Sequence, residues 1–573
     1  MRKWLSRTLA GVLTCASLMS VAACGGGNPY GDNGGNGGTG GGSSAGAEKV
    51  LDPTKTQLQV KTFRAGFGDE WLYELEARFE EAYKDVSYED GKKGVQVWHD
   101  GDMKDYTAQD IISGSYDIYF TEGGDYYSIV NSGLGALEEL TDIVVNPNKD
   151  DNNTTLLSKL TAQQKEFYGV TGTDGDPKYY AIPHYEGGWG LIYNKDLFDR
   201  EKYYVTDTGE ILVNVPDGKK GTGPDGVTGT SDDGLPRTYE EFFLLCDEIA
   251  LRGDTPVCWS GTYAEHYLTA LMNTLVAEYE GLEQMSLNLS FNGEAKDLVV
   301  VDENNQVVYE NGEIKTEKAS ITSATGYEIS RQAGKYYALK FLHTLMTANE
   351  NYYNDRAYDP THTHYDAQSD FLKAGTKFQS GKEVAMLVDG PWWEAEALTT
   401  INLMGAQDPA YSRTNRNFGW MPLPKATEEK VGSGNIYIDT LSAYTCVKAG
   451  LGPKKQAALD FVRFSITNES LVEFTQVTGA MKAYNYTLTA EESSSLSPFT
   501  KSLIEYKNNS TTFVMDTGNE FYLSNRIKFR APKFYPISGY NNPVLAFSQT
   551  NPIDGETYFE NMYKYWKTSS IWE

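Results

Sequence analysis

The sequence predicts an α/β protein. Three observations carry this: short apolar runs with strand character, stretches at helical spacing between them, and Gly-rich polar loops where the strands end. Strands alternating with helices build a mainly parallel sheet covered by helices. In such sheets ligands bind in loops beyond the carboxyl ends of the strands. Hydrophobic residues are 40% and aromatics 13% of the 573 residues, enough for a large core.

The elements follow in order. Leu58 to Phe63 alternates and reads as a strand. After Gly66 and Gly68, the residues Trp71, Leu72, Leu75, Phe79 and Tyr83 recur at helical spacing. A strand around Gly94 to Trp98, a helical stretch over 104–114 and an apolar strand from Tyr116 to Phe120 come next. Tyr179 to Pro183 is a further strand. It leads through His184-Tyr185-Glu186-Gly187-Gly188-Trp189-Gly190 into the strand Leu191-Ile192-Tyr193 and the turn Asn194-Lys195-Asp196. A polar Gly-rich insertion spans about 204–236. Thr238-Tyr239-Glu240-Glu241 predicts a capping box, with Thr238 as cap and Glu241 reaching back. Around 286–320 a hairpin is expected between Val299-Val300-Val301 and Gln306-Val307-Val308-Tyr309. Helical spacing returns at 326–347 and 366–379. Val384 to Val388 is a buried strand ending at Asp389-Gly390-Pro391-Trp392-Trp393, and a strand at 441–447 and a helix at 454–466 follow.

Acidic residues number 79 against 50 Lys and Arg, a net charge of −29. Nucleic acid is excluded as a partner, because binding there rests on cationic neutralisation of phosphates. Adhesion of the folded surface to anionic lipid is disfavoured for the same reason. A mean hydropathy of −0.48 excludes a multi-span membrane protein.

Arg2, Lys3 and Arg7 precede an apolar stretch from Leu9 to Ala23. That stretch is short of the roughly 20 apolar residues a spanning helix needs. It ends in Val21-Ala22-Ala23-Cys24-Gly25, which resembles the lipobox of bacterial lipoproteins. The resemblance implies a signal peptide over 1–23, a lipid on Cys24 and a place on the extracellular face of the cell membrane. Residues 24–50 are a Gly/Asn/Ser-rich flexible tether. The formal GxGxxG at 35–40 and the formal GxSxG at 42–46 lie in that tether, with no strand before or helix after them. Beyond it remain Cys246, Cys258 and Cys446. An odd count allows at most one disulfide, Cys246 with Cys258 being the nearer pair, and buried free thiols are the simpler reading.

Four segments, in order, resemble the extracellular solute-binding proteins of ABC importers, family 1, in the sugar-binding branch that includes maltose-binding protein. They are Ala181-Ile182-Pro183 followed by Leu191 to Phe198; Arg237 to Phe242; Phe378 to Met386 with Gly390-Pro391-Trp392; and Gly419 to Pro424 with Asp460 to Phe464. Together they span most of 56–485. The resemblance implies a two-lobed type II periplasmic-binding-protein fold with a hinge and an inter-lobe ligand cleft. It divides the chain into an N-terminal lobe, 51–180 with about 435–485, and a C-terminal lobe, 181–434 with about 486–573. Insertions fall near 204–236 and 286–320. It implies a monomer that captures solute by hinge closure, hands it to membrane permease subunits and does no chemistry on it.

A sugar presents apolar ring faces and a rim of hydroxyls, so its site needs flat aromatics with carboxylates or amides. By the resemblance Trp392 is the ring-stacking residue, Glu186 lies near a ligand-binding Glu, and Glu122 and Asp125 sit on a ligand loop. Trp189 shares the Gly-rich loop of Glu186. Trp393 adjoins Trp392, and one of the two faces the core. Trp420, Phe67, Asp69, Glu70, Trp259 and Tyr263 complete the candidates. No cofactor is implied. Asp225, Asp232 and Asp233 on a Gly-rich loop could supply oxygens to a structural calcium, though EF-hand spacing is not met. His362-Thr363-His364 is too sparse for a metal centre and is expected on the surface. The alternatives are a glycan-active surface enzyme or an adhesin, and for the ligand a peptide or another polar solute.

Overall fold

The computed structural model describes residues 49–101, 106–122, 126–172, 175–530 and 533–573. The signal segment, Cys24, the tether up to residue 48 and Asp125 lie outside the described residues. Nine strands build two principal sheets: β1 Thr56–Thr62, β2 Val95–Asp100, β3 Ile118–Thr121, β4 Ile182–Pro183, β5 Gly190–Asn194, β6 Thr255–Cys258, β7 Val384–Asp389, β8 Phe418–Met421 and β9 Tyr444–Val447. The first sheet runs β2-β1-β3-β9-β4 and the second β8-β5-β7-β6.

Leu58 and Val60 of β1 are fully buried, and the helix Glu70–Ala82 buries Trp71, Leu72, Leu75 and Phe79. Strands β3, β5 and β7 are buried at every residue, as expected of central strands covered on both faces, and the edge strand β8 is buried too, with the helix Pro498–Asn508 packed against it. The mainly parallel sheet expected from the sequence is corrected to two mixed sheets. β1 pairs parallel with β2 and β3, but β9 runs antiparallel to β3 and β4. β7 is parallel to β6, while β5 is antiparallel to both β7 and β8. The reason is connectivity. β4 and β9 are the strands by which the chain leaves and re-enters the first sheet, without the helical crossover that sets neighbours parallel.

The chain passes between the sheets three times: between β4 and β5, between β8 and β9, and between the helices Asn468–Thr478 and Pro498–Asn508. The passages are laced together. His184 N donates to Ala443 O at 2.8 Å, Thr440 N to Gly187 O at 2.9 Å and Ala483 N to His184 O at 3.1 Å. Asp439 accepts from Gly187 N, Leu441 N and Ser442 N.

Local expectations are adjusted in three places. The predicted turn at Asn194 opens the helix Lys195–Glu201, capped by the Asn194 side chain. Thr238 caps its helix, but Glu241 bonds to Arg237 N at 2.7 Å rather than back to Thr238. The hairpin forms between Val300 and Val308 (N to O 2.9 Å), as the tip of a longer antiparallel pair, Gly293–Val299 with Thr316–Ile321. Cys246, Cys258 and Cys446 are buried free thiols. The C-terminal stretch is part of the fold: Ser510–Val514 pairs with Asn435–Asp439, and Phe559 packs 5.5 Å from Tyr336. Among the described residues no helix is long and apolar enough to cross a membrane.

Candidate functional site

Loops of the two sheets meet around Trp392. After β1, Ala65 and Gly68 adopt positive φ (46° and 73°) and turn the chain back. Between them Gly66 touches the segment after β7: a Cβ there would lie 2.7 Å from Glu396 Oε1 and 2.8 Å from Trp392 Cβ. Glycine is what allows this approach.

Trp392 is the hub of an aromatic run. Its ring lies 5.0 Å from Trp189 and 6.3 Å from Phe67, both edge-on. Phe67 packs 4.7 Å from Tyr185. Trp189 packs 4.5 Å from His266 and 5.7 Å from Tyr267. Tyr267 stacks on Tyr263 at 6.2 Å, and Tyr263 lies 5.8 Å from His364, which meets Tyr365 at 4.0 Å. Tyr365 is half exposed, so the run opens to solvent at that end.

Polar groups flank the run. Tyr185 OH donates to Glu122 at 3.0 Å. Gln368 Nε2 donates to both Asp389 Oδ2 (3.0 Å) and Glu396 Oε2 (2.6 Å). Burial pushes the Asp389 carboxyl up to about 7, and burial with the Asp389 charge holds Glu396 well above the usual carboxylate range. Burial lowers His364 to about 4, so it is neutral at ordinary pH. The arrangement can press flat apolar faces and satisfy hydroxyls or amides.

The structure brings Trp392, Trp189, Phe67 and Tyr263 into one run, with Glu122 one step away through Tyr185. Other candidates go elsewhere. Trp393 is fully buried among Phe371, Phe418 and Phe499. Trp259 is fully buried and donates to Ala357 O at 2.9 Å. Trp420 packs against Tyr437 and Tyr506, lining a small cavity behind Trp189. Glu186 is buried in the first passage and ion-paired with Lys507. Asp69 pairs with Arg64 at 2.6 Å, and Glu70 opens the helix Glu70–Ala82. Asp225, Asp232 and Asp233, which could have supplied oxygens to a calcium, do not form a group that could hold a metal among the described residues. Their carboxylates build turns instead: Asp225 accepts from Val227 N (2.7 Å), Asp232 from Thr230 Oγ1 (2.6 Å), Asp233 from Gly229 N (2.8 Å). His362 is corrected from surface to core: it is fully buried, 3.1 Å from Asp370.

Sequence reasoning missed Glu396, Gln368, His364, Tyr185 and Tyr267. A helical signal pointed to two of them. Glu396 is four residues after Trp392, and Gln368 four after His364, the spacing that shares a helix face.

The model of the bacterial extracellular solute-binding protein family matches residues 61–471. The chain belongs to that family. As a solute-binding protein it is not an enzyme. No curated protein matches the sequence. A structure of the solute-binding protein RafE in complex with raffinose is 15% identical, with a TM-score of 0.51 over 89% of this chain and 98% of that one. The apo form of RafE from Streptococcus pneumoniae is 16% identical, with a TM-score of 0.50 over 90% and 99%. A chitin oligosaccharide binding protein is 14% identical, with a TM-score of 0.50 over 89% and 98%. These likenesses show that the solute-binding protein has the type II periplasmic-binding fold.

Proposed function

We propose that this solute-binding protein captures an oligosaccharide around Trp392 and delivers it to the membrane permease of an ABC importer, tethered to the membrane through a lipid on Cys24. The continuous aromatic run from Phe67 through Trp392 and Trp189 to Tyr263 carries the sugar reading. Successive rings suit successive sugar faces, and the carboxyls and amide beside them suit hydroxyls. Structural relatives named for raffinose and chitin oligosaccharide support the same class. The two sheets with their laced passages serve as lobes closing on the solute. A thermal-shift screen of the purified protein against glycans, peptides and other polar solutes tests this. A ligand at a hundredfold excess over Kd adds about 2.7 kcal/mol of stability. A shift with a glycan series supports the reading. A shift only with another solute class discards the sugar. Labelling with a radioactive fatty acid, lost on Cys24→Ala, tests the anchor.

A further inference from the structure

The carboxyl pair beside Trp392 has a geometry that the aromatic run does not explain. Asp389 ends β7 and Glu396 ends the short helix that follows Trp392. Both take a hydrogen bond from the same Gln368 amide nitrogen, at 3.0 and 2.6 Å. Among the described residues no Lys or Arg pairs with either carboxyl. Two carboxylates so placed, out of water and without a cation, do not both ionise.

Three buried polar atoms nearby have no hydrogen-bond partner: Trp189 Nε1, His364 Nδ1 and Gln368 Oε1. Gln368 and Trp189 are more than nine-tenths buried. Buried polar atoms are almost always satisfied, so such orphans mark where another polar molecule completes the site. They surround Glu396: Gln368 bonds to it, His364 Nε2 is 3.8 Å from its Oε1, and Trp189 packs on the adjoining Trp392.

We propose that Glu396, Gln368 and His364 form the hydroxyl-reading end of the solute site, and that the Asp389 and Glu396 carboxyls share one proton, so that the pair both donates to and accepts from a bound sugar. This rests on the oligosaccharide reading. Glu396 Oε2 and Asp389 Oδ2 are held by Gln368, while Glu396 Oε1, at the seam with Gly66, is the oxygen turned to the solute. A hydroxyl is donor and acceptor at once. A singly protonated pair with an amide oxygen matches it in both senses.

The other groups facing the pair do not compete for this proton. His364 is neutral, its value held down to about 4 by burial. Tyr365 is raised by burial and by Glu396 itself. Arg64, on the loop after β1, is engaged by Asp69. Tyr263 lies beyond His364, and the Trp392 indole bonds to Asp389. The direction follows. Asp389, raised to about 7, gives up the pair's first proton near that value and leaves the one shared proton above it. Affinity for a neutral sugar is full while the pair keeps that proton. It falls by about tenfold per pH unit once the proton is lost, since one proton is linked to binding.

Calorimetric titration with raffinose, chitotriose and linear glucose oligosaccharides from pH 5.5 to pH 9 tests this, on the wild-type protein, Glu396→Gln and Asp389→Asn. Glu396→Gln is near-isosteric with the protonated acid. It is expected to bind within about threefold of wild type at pH 7.5, where the pair holds one proton, and to lose the fall at higher pH. Glu396→Ala is expected to bind at least about tenfold more weakly. A Glu396→Gln variant that keeps the wild-type pH slope overturns the proposal and leaves the sugar reading standing. Silence of the wild-type protein toward every glycan overturns the sugar reading and the hydroxyl-reading role with it. Infrared spectroscopy addresses the proton without any ligand: other buried carboxyls such as Asp439 also hold protons, so the readout is the wild-type minus Glu396→Gln difference spectrum at pH 7.5, in which a protonated-carboxyl band is expected. A difference spectrum without that band overturns the shared proton. Urea unfolding curves confirm that each variant is folded.

Discussion

Replacing Trp393 by alanine is expected to destabilise the protein by about 3 kcal/mol. The side chain is fully buried, with ring centroids 5.6 Å from Phe371, 5.2 Å from Phe418 and 5.4 Å from Phe499. A buried Trp removes about 200 Å² from water, worth about 5 kcal/mol at about 25 cal/mol per Å². Truncation to Ala in cores costs about 3–5 kcal/mol, because part of that area remains covered and a cavity is left. The indole nitrogen works the other way: Trp393 Nε1 is buried without a hydrogen-bond partner. Removing an unsatisfied donor returns about 1–2 kcal/mol. The difference is about 3 kcal/mol. Trp393→Phe should cost about 1 kcal/mol or less, since it keeps an aromatic face and loses the orphan. Urea unfolding followed by circular dichroism measures both, read as a shift of midpoint at constant slope. An Ala variant that costs under about 1 kcal/mol, or a Phe variant as damaged as Ala, would refute this account of the core.

Trp392→Ala should weaken solute binding by at least about tenfold, about 1.4 kcal/mol, measured under conditions where a urea curve shows the variant folded, because Trp392 is also buried in the core; unchanged calorimetric binding removes Trp392 from the site. Lys425→Met should cost about 3–5 kcal/mol by stranding Glu278, which also accepts from Ile436 N at 2.9 Å; a urea midpoint near wild type would contradict that. Asp439 is raised by burial to about 7 from an ordinary value near 3.8. The folded state therefore holds its proton longer than the unfolded state. Its contribution is full below about pH 4 and is lost as pH rises towards 7, by at most about 4 kcal/mol. Asp439→Asn should gain stability relative to wild type at pH 8 and not at pH 4, and equal gains at both would refute the assignment. Cys246, Cys258 and Cys446, buried and with thiols raised by burial, should resist Ellman's reagent until the protein unfolds. Rapid reaction of any of the three in the native state would contradict their placement.

Much of this protein is legible in its sequence because the signals are local. The alternation at Leu58–Phe63 and the stripe Trp71, Leu72, Leu75, Phe79 identify a strand and its covering helix closely, since each periodicity follows from one element's own geometry. The order of short segments from Ala181 to Phe464 points to the family. Trp392 is singled out as a candidate by the Gly390-Pro391 that precedes it.

What the sequence leaves open is set by partners far away in the chain. Trp392 and Trp393 are adjacent, so spacing does not say which of them faces the core. Only the packing of Phe371, Phe418 and Phe499 makes the second a core residue. Glu186 reads as a ligand carboxylate until Lys507, much later in the chain, is seen to take it. Glu396, Gln368 and His364 carry no motif, because they converge only when the helix His364–Lys373 packs beside β7 and the segment that follows it. Periodicity records what one element buries. Which side chains face one another across two sheets depends on how three separate passages of chain are laced together, and that is a property of the tertiary structure alone.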